Sequence, residues 1–274
     1  MWKLVGLIVL LGGGRDNLEP TDRLTPKGWL GNPWGPAAYR ARDEGKLPPI
    51  AISPSMARWD DWGKKTLRDG DILFRRGDAR ILYGRFPMSR FIANVSGSPF
   101  SHTGIAVFES GKPFVYDTTK SGVRRQPLSV WILDNAGPFG VRRLKPAYQD
   151  HVPKVISWCR EMYAKQVPFD YDLGLDDSEL YCVEMTEKAF RASGLTLSEP
   201  VRLGEMENAA RFPINMFAFS TLTKLRLDMP VFFPGNERHG IWSSPLLETV
   251  VAPKTNDSAV AGLHEAAGEE KKNR

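Results

Sequence analysis

Tyr181-Cys182-Val183-Glu184 opens an apolar run that extends to Ala192. Upstream, Asp176-Asp177-Ser178-Glu179 offers N-caps and first-turn acids, and Gly194 offers a C-cap. Val183, Met185, Ala189, Phe190 and Ala192 include the three- and four-residue spacings of a buried helix face. The pattern predicts a helix whose first turn carries Cys182. There the positive end of the helix dipole favours thiolate over thiol, and the thiolate is the nucleophile. A small buried core position, where free cysteines commonly sit, fits the same residue.

A nucleophilic thiol needs a base, and Ser101 to Thr119 offers one. Ser101 to Phe108 reads as a strand, Glu109-Ser110-Gly111-Lys112 as a turn, and Pro113 to Thr118 as the return strand. With Ser110-Gly111 as a two-residue loop, Glu109 faces Lys112 and Gly104 faces Asp117. His102, Gly104, Ala106, Val115 and Asp117 then share one face, and Ile105, Val107, Phe114 and Tyr116 the other. His102 and Asp117 become diagonal neighbours within side-chain reach. Gly104 and Ala106 leave that face shallow, so a helix is expected to pack there.

Outside these stretches, Gly70 to Phe74, Gly122 to Arg125 and Gly140 to Leu144 read as strands, and Pro87 to Val95 as a short helix. Tyr148 to Lys165 reads as a helix with Val152, Val155, Ile156, Cys159, Met162 and Tyr163 on one side, which makes Cys159 core. The Phe212 to Phe233 region, broken by prolines, reads as strands and loops, and Ile241 to Val250 as a last turn or helix. Residues 1–14 hold an apolar run, Leu4 to Leu11, too short to span a bilayer. It resembles the core of a signal peptide or tether, or else a buried strand. Residues 15–61, rich in Pro, Gly and Trp, read as an extended arm, residues 62–251 as the catalytic domain, and residues 252–274 as a disordered tail.

Composition narrows the function. The 274 residues are 42% hydrophobic and 25% charged, with a net charge of +5. Two cysteines allow one bridge at most, Cys159 to Cys182, and with four histidines they form no CxxC or HExxH metal motif. Asp170, Asp172, Asp176 and Asp177 lack EF-hand spacing and read as caps and turns. The expectation is therefore no cofactor and no metal. The Arg75-Arg76, Arg124-Arg125 and Arg142-Arg143 pairs have no aromatic RNA-binding motif beside them, so they read as solvated surface and no nucleic-acid partner is expected.

The order of these pieces resembles the circularly permuted branch of the NlpC-type papain-like cysteine hydrolases. The likeness is to the YiiX/YaeF-like amidase group, related to lecithin:retinol acyltransferase. It rests on Gly70-Asp71-Ile72-Leu73-Phe74, Ser101-His102-Thr103-Gly104-Ile105-Ala106-Val107, Tyr116-Asp117, Gly122-Val123 with Pro127-Leu128, and Phe169-Asp170 leading to Tyr181-Cys182-Val183-Glu184. Unpermuted relatives carry the cysteine before the histidine; here the histidine comes first. The resemblance implies an α+β, papain-like fold: an antiparallel sheet or half-barrel with the nucleophile helix on one face. It implies Cys182 as nucleophile and His102 as base. Asp117 matches the third position, where relatives often carry Glu or His. Val183 stands where many relatives carry Ser. Tyr181 is a candidate to line the pocket or stabilise an oxyanion, or a packed aromatic.

The implied chemistry is Cys-His-Asp acyl transfer through a thioester. Expected substrates are peptide or acyl amides, from peptidoglycan or lipid, for an exported or membrane-tethered protein, with a cytoplasmic one as the other case. A lipid acyltransferase or esterase, or a non-catalytic binding module on the same scaffold, are the alternatives.

Overall fold

The computed structural model describes residues 32–79, 87–223 and 225–253. The segment 1–14, and the tail 252–274 apart from its first two residues, lie outside the described residues. In chain order the elements are α1 (Pro36–Asp43), α2 (Pro54–Thr66), β1 (Ile72–Arg75), α3 (Met88–Ser96), β2 (His102–Glu109), β3 (Lys112–Thr119), β4 (Gly122–Pro127) and α4 (Leu128–Trp131). They continue with β5 (Phe139–Leu144), α5 (Val152–Lys165), α6 (Cys182–Ser193), β6 (Val201–Arg202), α7 (Pro213–Thr223), β7 (Pro230–Val231) and β8 (Leu247–Val251).

The β2–β3 hairpin turns as its two loop residues dictate. Ser110 and Gly111 both take positive φ, 49° and 74°, the conformation of a tight turn that matches strand twist. Glu109 faces Lys112 and Ile105 faces Tyr116, the register expected from the sequence. Around this hairpin a six-stranded sheet forms in the order β4-β3-β2-β1-β5-β8, antiparallel throughout. β6 and β7 make a separate two-stranded ribbon. The fold is α+β, as expected.

Each face of the sheet is covered. Ile72, Phe74, Ile105, Val107, Tyr116 and Val123 pack against α5 and α6 through residues such as Val155, Cys159, Met185 and Phe190. On the other face, Leu73, Ala106 and Val115 pack against Leu128, Trp131 and Ile132, with Trp59 and Trp62 of α2 at the margin. A helix does cover the Gly104/Ala106 face, but it is the short α4 and not the Cys182 helix. A Cβ on Gly104 would lie 2.5 Å from Val115 Cγ1. Val115 has filled the space that glycine leaves, and the short helix α4 closes the rest.

Three further readings change. Within 15–61 the described part is not extended: Pro36 and Pro54 open α1 and α2, because proline suits the first helical turn. Ser53 caps α2 by accepting from the Met56 amide at 3.3 Å, and Tyr39 ties α1 to the sheet through a 2.7 Å bond to the Arg125 carbonyl. Pro213 likewise starts α7 rather than breaking structure. Residues 247–251 form edge strand β8, preceded by a 3₁₀ turn at Ile241–Ser243.

Candidate active site

The helix that carries Cys182 starts where the sequence places it, with a different cap. Cys182 is its first residue, and Tyr181, in extended conformation, is the N-cap. Glu184 reaches back to accept from the Tyr181 amide at 3.1 Å, which satisfies one orphan donor of the helix start. Asp176 caps only its own turn, accepting from Ser178. Gly194 ends the helix with φ 96°.

Threonines fasten this helix start to the sheet. Thr103 Oγ1 donates to the Cys182 carbonyl at 3.3 Å and pairs with Thr186 Oγ1 at 2.8 Å. Thr118 Oγ1 donates to the Leu180 carbonyl at 3.2 Å. Cys182 Sγ lies 4.0 Å from the Ser101 carbonyl. The cysteine thus sits against Ser101 and Thr103, the two chain neighbours of His102.

His102 and Asp117 share a face, as the hairpin register requires, and lie beside Trp131 of α4 at the end of β2 that Cys182 also approaches. His102 Nε2 is 2.7 Å from Asp117 Oδ2. Three more hydrogen bonds converge on that carboxylate. Arg124 donates from Nε to Oδ1 at 2.9 Å and from Nη2 to Oδ2 at 2.6 Å. Trp131 Nε1 donates to Oδ2 at 2.8 Å. Burial alone would raise the Asp117 carboxyl, but Arg124, helped by His102, overrides it and holds the group well below the usual carboxylate range. An ionised Asp117 accepts from Nε2–H, which leaves Nδ1 as the proton acceptor of the ring.

Burial works against the thiolate that the helix position favours. Burial pushes the Cys182 thiol up to about 12, against the pull of the Thr103 and Val183 amides. Burial also lowers His102, against the attraction of Asp117. Sγ and His102 share no hydrogen bond in this structure. Such contacts are often loose before substrate binds.

The remaining assignments divide. Cys159 is fully buried and free, and Cys182 is free as well, so no bridge joins them. Tyr181 is buried, and its hydroxyl accepts from the Phe232 amide at 2.6 Å while donating to the Phe232 carbonyl at 3.3 Å. With both roles taken, it is a packed aromatic, and the oxyanion reading is corrected. The arginine pairs are not simply solvated. Arg75 and Arg124 are buried, Arg125 pairs with Glu109, and Arg143 grips Asp71 through two bonds of 2.7 Å. Arg124 was findable: Thr119 faces Gly122 across the next tight turn, which sets Arg124 opposite Asp117. Trp131 carries no such signal, because it arrives from a helix outside the sheet.

The family model described as permuted papain-like amidase enzyme, YaeF/YiiX, C92 family, matches residues 66–244. The chain belongs to that family. It is therefore an enzyme of the papain-like amidase kind, a cysteine hydrolase. Over 187 residues it is 27% identical to the uncharacterized protein YiiX of Escherichia coli K12, a match covering 68% of this chain and 79% of that protein. A crystal structure of YiiX from Escherichia coli O157:H7, described as a metalloprotein, shares the fold with a TM-score of 0.57 at 24% identity. That match covers 69% of this chain and 98% of the other. Among the described residues here, no group of three or more His, Cys, Asp or Glu side chains is placed to hold a metal ion. These residues do not fit a metal centre, and no step below is routed through one.

Proposed function

We propose that this C92 enzyme hydrolyses amides through a thioester on Cys182, with His102 as base and Asp117 as its orienting group. The observation that carries the reading is the His102–Asp117 bond on the strand whose flanking residues, Ser101 and Thr103, hold Cys182. His102 Nδ1 takes the thiol proton as Sγ bonds to the carbonyl carbon. The amides that open α6 are the candidate oxyanion donors. The C–N bond breaks, the imidazolium gives its proton to the leaving nitrogen, and water then cleaves the thioester with His102 again as base.

Between peptide and acyl amides, one surface favours the acyl amide. Ile214 and Phe217 on α7 are 80% and 70% exposed. The other side of α7 is seated by Met216 in the small cluster that includes Phe233, next to Phe232, which holds Tyr181. An exposed apolar surface on α7 suits a substrate with a hydrocarbon chain. An exported or tethered location belongs to the same proposal; no described helix is long and apolar enough to cross a membrane.

The test is a hydrolysis panel of N-acyl amides, matching esters and peptidoglycan stem-peptide amides, with wild type and Cys182→Ala side by side. Cleavage of acyl amides that disappears in the mutant supports the reading. Cleavage retained in the mutant sinks it, and preference for stem peptides moves the substrate to the cell wall.

A further inference from the structure

Arg75 takes no part in the steps above, yet its position is unusual. It stands on β1 directly across from His102 on β2, and is only 2% exposed. Its guanidinium lies 4.2 Å from the centroid of the Trp131 ring. Nη1 donates to the Trp131 carbonyl at 2.7 Å, and Nη2 to Asp134 at 3.2 Å. Nε is buried without a hydrogen-bond partner. The Trp131 ring also lies beside His102, at 5.9 Å between centroids and 31° between planes.

Two carboxylates offset part of the cost of burying a cation here, Asp117 first and then Asp134. A buried guanidinium carries a large desolvation cost, and a well-packed apolar side chain commonly does as well or better. Its one anionic hydrogen-bond partner, Asp134, has a side chain 48% exposed, so water screens much of that compensation. The cation also stands across the strand pair from the imidazole.

We propose that Arg75 is a positioning residue of the amidase site, a fixed buried charge on the strand beside β2 that keeps the His102 ring neutral and proton-accepting. The inference rests on the assignment of His102 and Cys182 above. The charged and titratable groups around the ring come from every element packed there: Asp117 from β3, Arg124 from β4, Arg75 from β1, Asp134 beyond α4 and Cys182 from α6. Asp117 attracts a proton to His102, but Arg124 and Trp131 already claim much of that carboxylate. Arg75 and Arg124 oppose the proton, and both directions agree with the lowered basicity of His102. The same charge favours an anionic sulfur, so its effects on the two ends of the proton transfer oppose one another, and the titration of His102 alone reports its action on the ring.

The experiment is the titration of His102 followed by NMR in the full-length protein, its resonance identified by its loss in His102→Ala. Wild type should titrate below an ordinary histidine. Arg75→Gln should raise the midpoint by on the order of one pH unit, and Arg75→Lys should keep it low. Arg75→Met, which keeps the length of the aliphatic stem without the charge, should raise it as well, and decides the matter if Arg75→Gln does not fold. A folded Arg75→Gln or Arg75→Met with the wild-type midpoint overturns the inference. Iodoacetamide labelling of Cys182 that is indifferent to His102→Ala would instead overturn the base assignment, whatever the midpoints.

Discussion

Trp131 donates its indole N–H to the same Asp117 oxygen that His102 engages, at 2.8 Å and 2.7 Å. The tryptophan thereby fixes the orienting carboxylate from outside the sheet, while Arg124 fixes it within the sheet.

Trp131→Phe keeps an aromatic ring beside Arg75 and His102 and removes the indole donor. The buried carboxylate then loses one of its partners. We expect a stability loss of about 1–3 kcal/mol in urea unfolding, and a fall of roughly tenfold in kcat/KM as the imidazole loosens. Wild-type kinetics in a folded mutant would show that the N–H is not needed.

Acid should unfold the protein early. Asp117 is held below its unfolded value near 3.9, so its contribution is full above that value and fades as pH falls toward the folded one. His102 is also lowered, so its contribution is full above about 6.5 and fades as pH falls through its folded value. Both groups bind more protons when unfolded, so Tm should drop steadily below about pH 6.5. Arg124→Met removes the main force holding Asp117 down. It should cost about 3–5 kcal/mol at pH 7 and flatten the acid side of the Tm profile.

The thiol titrates in the opposite sense. With Cys182 pushed up to about 12, iodoacetamide labelling should be slow at neutral pH and climb through the alkaline range, without a neutral plateau. Mass spectrometry of the labelled peptide checks this. Rapid labelling at pH 6 would show that the thiolate forms in the resting enzyme.

Cys182→Ala should reduce turnover by about 10³-fold or more while leaving unfolding nearly unchanged, since the residue is only partly buried. Cys159→Ser places a hydroxyl in the core, where Cys159 is 0% exposed. It should cost about 1–3 kcal/mol and leave kcat/KM near wild type below the melting transition. A folded but inactive Cys159→Ser enzyme would reverse the roles of the two cysteines.

The local parts of this site were legible in the sequence. Turn chemistry set the β2–β3 register and with it the His102–Asp117 pair, and helix spacing separated Cys159 from Cys182. The layer order was not legible, for a physical reason: His102 to Val107 are all buried. A strand covered on both sides has no polar face, so alternation sorts its residues into two sets without saying which set meets the nucleophile helix. Arg75 and Arg124 misled for a related reason. Charge reads as surface until a buried partner is found, and Arg75's main contact, Trp131, lies far along the chain on another element. β8 was missed because, as an edge strand, it leaves Glu248 and Thr249 exposed, and so lacks the apolar run of an inner strand.

The permuted order has a consequence for how the enzyme is made. His102, Asp117, Arg124 and Trp131 all lie on short, locally connected segments that leave the ribosome well before Cys182. Because synthesis runs from the N-terminus and local contacts form fastest, the His102–Asp117 cluster can assemble before Cys182 exists. Until α5 and α6 emerge, the Ile72, Ile105 and Tyr116 face has no cover. The nascent chain is thus both inert and exposed, and one event, the docking of α6, ends the two conditions together.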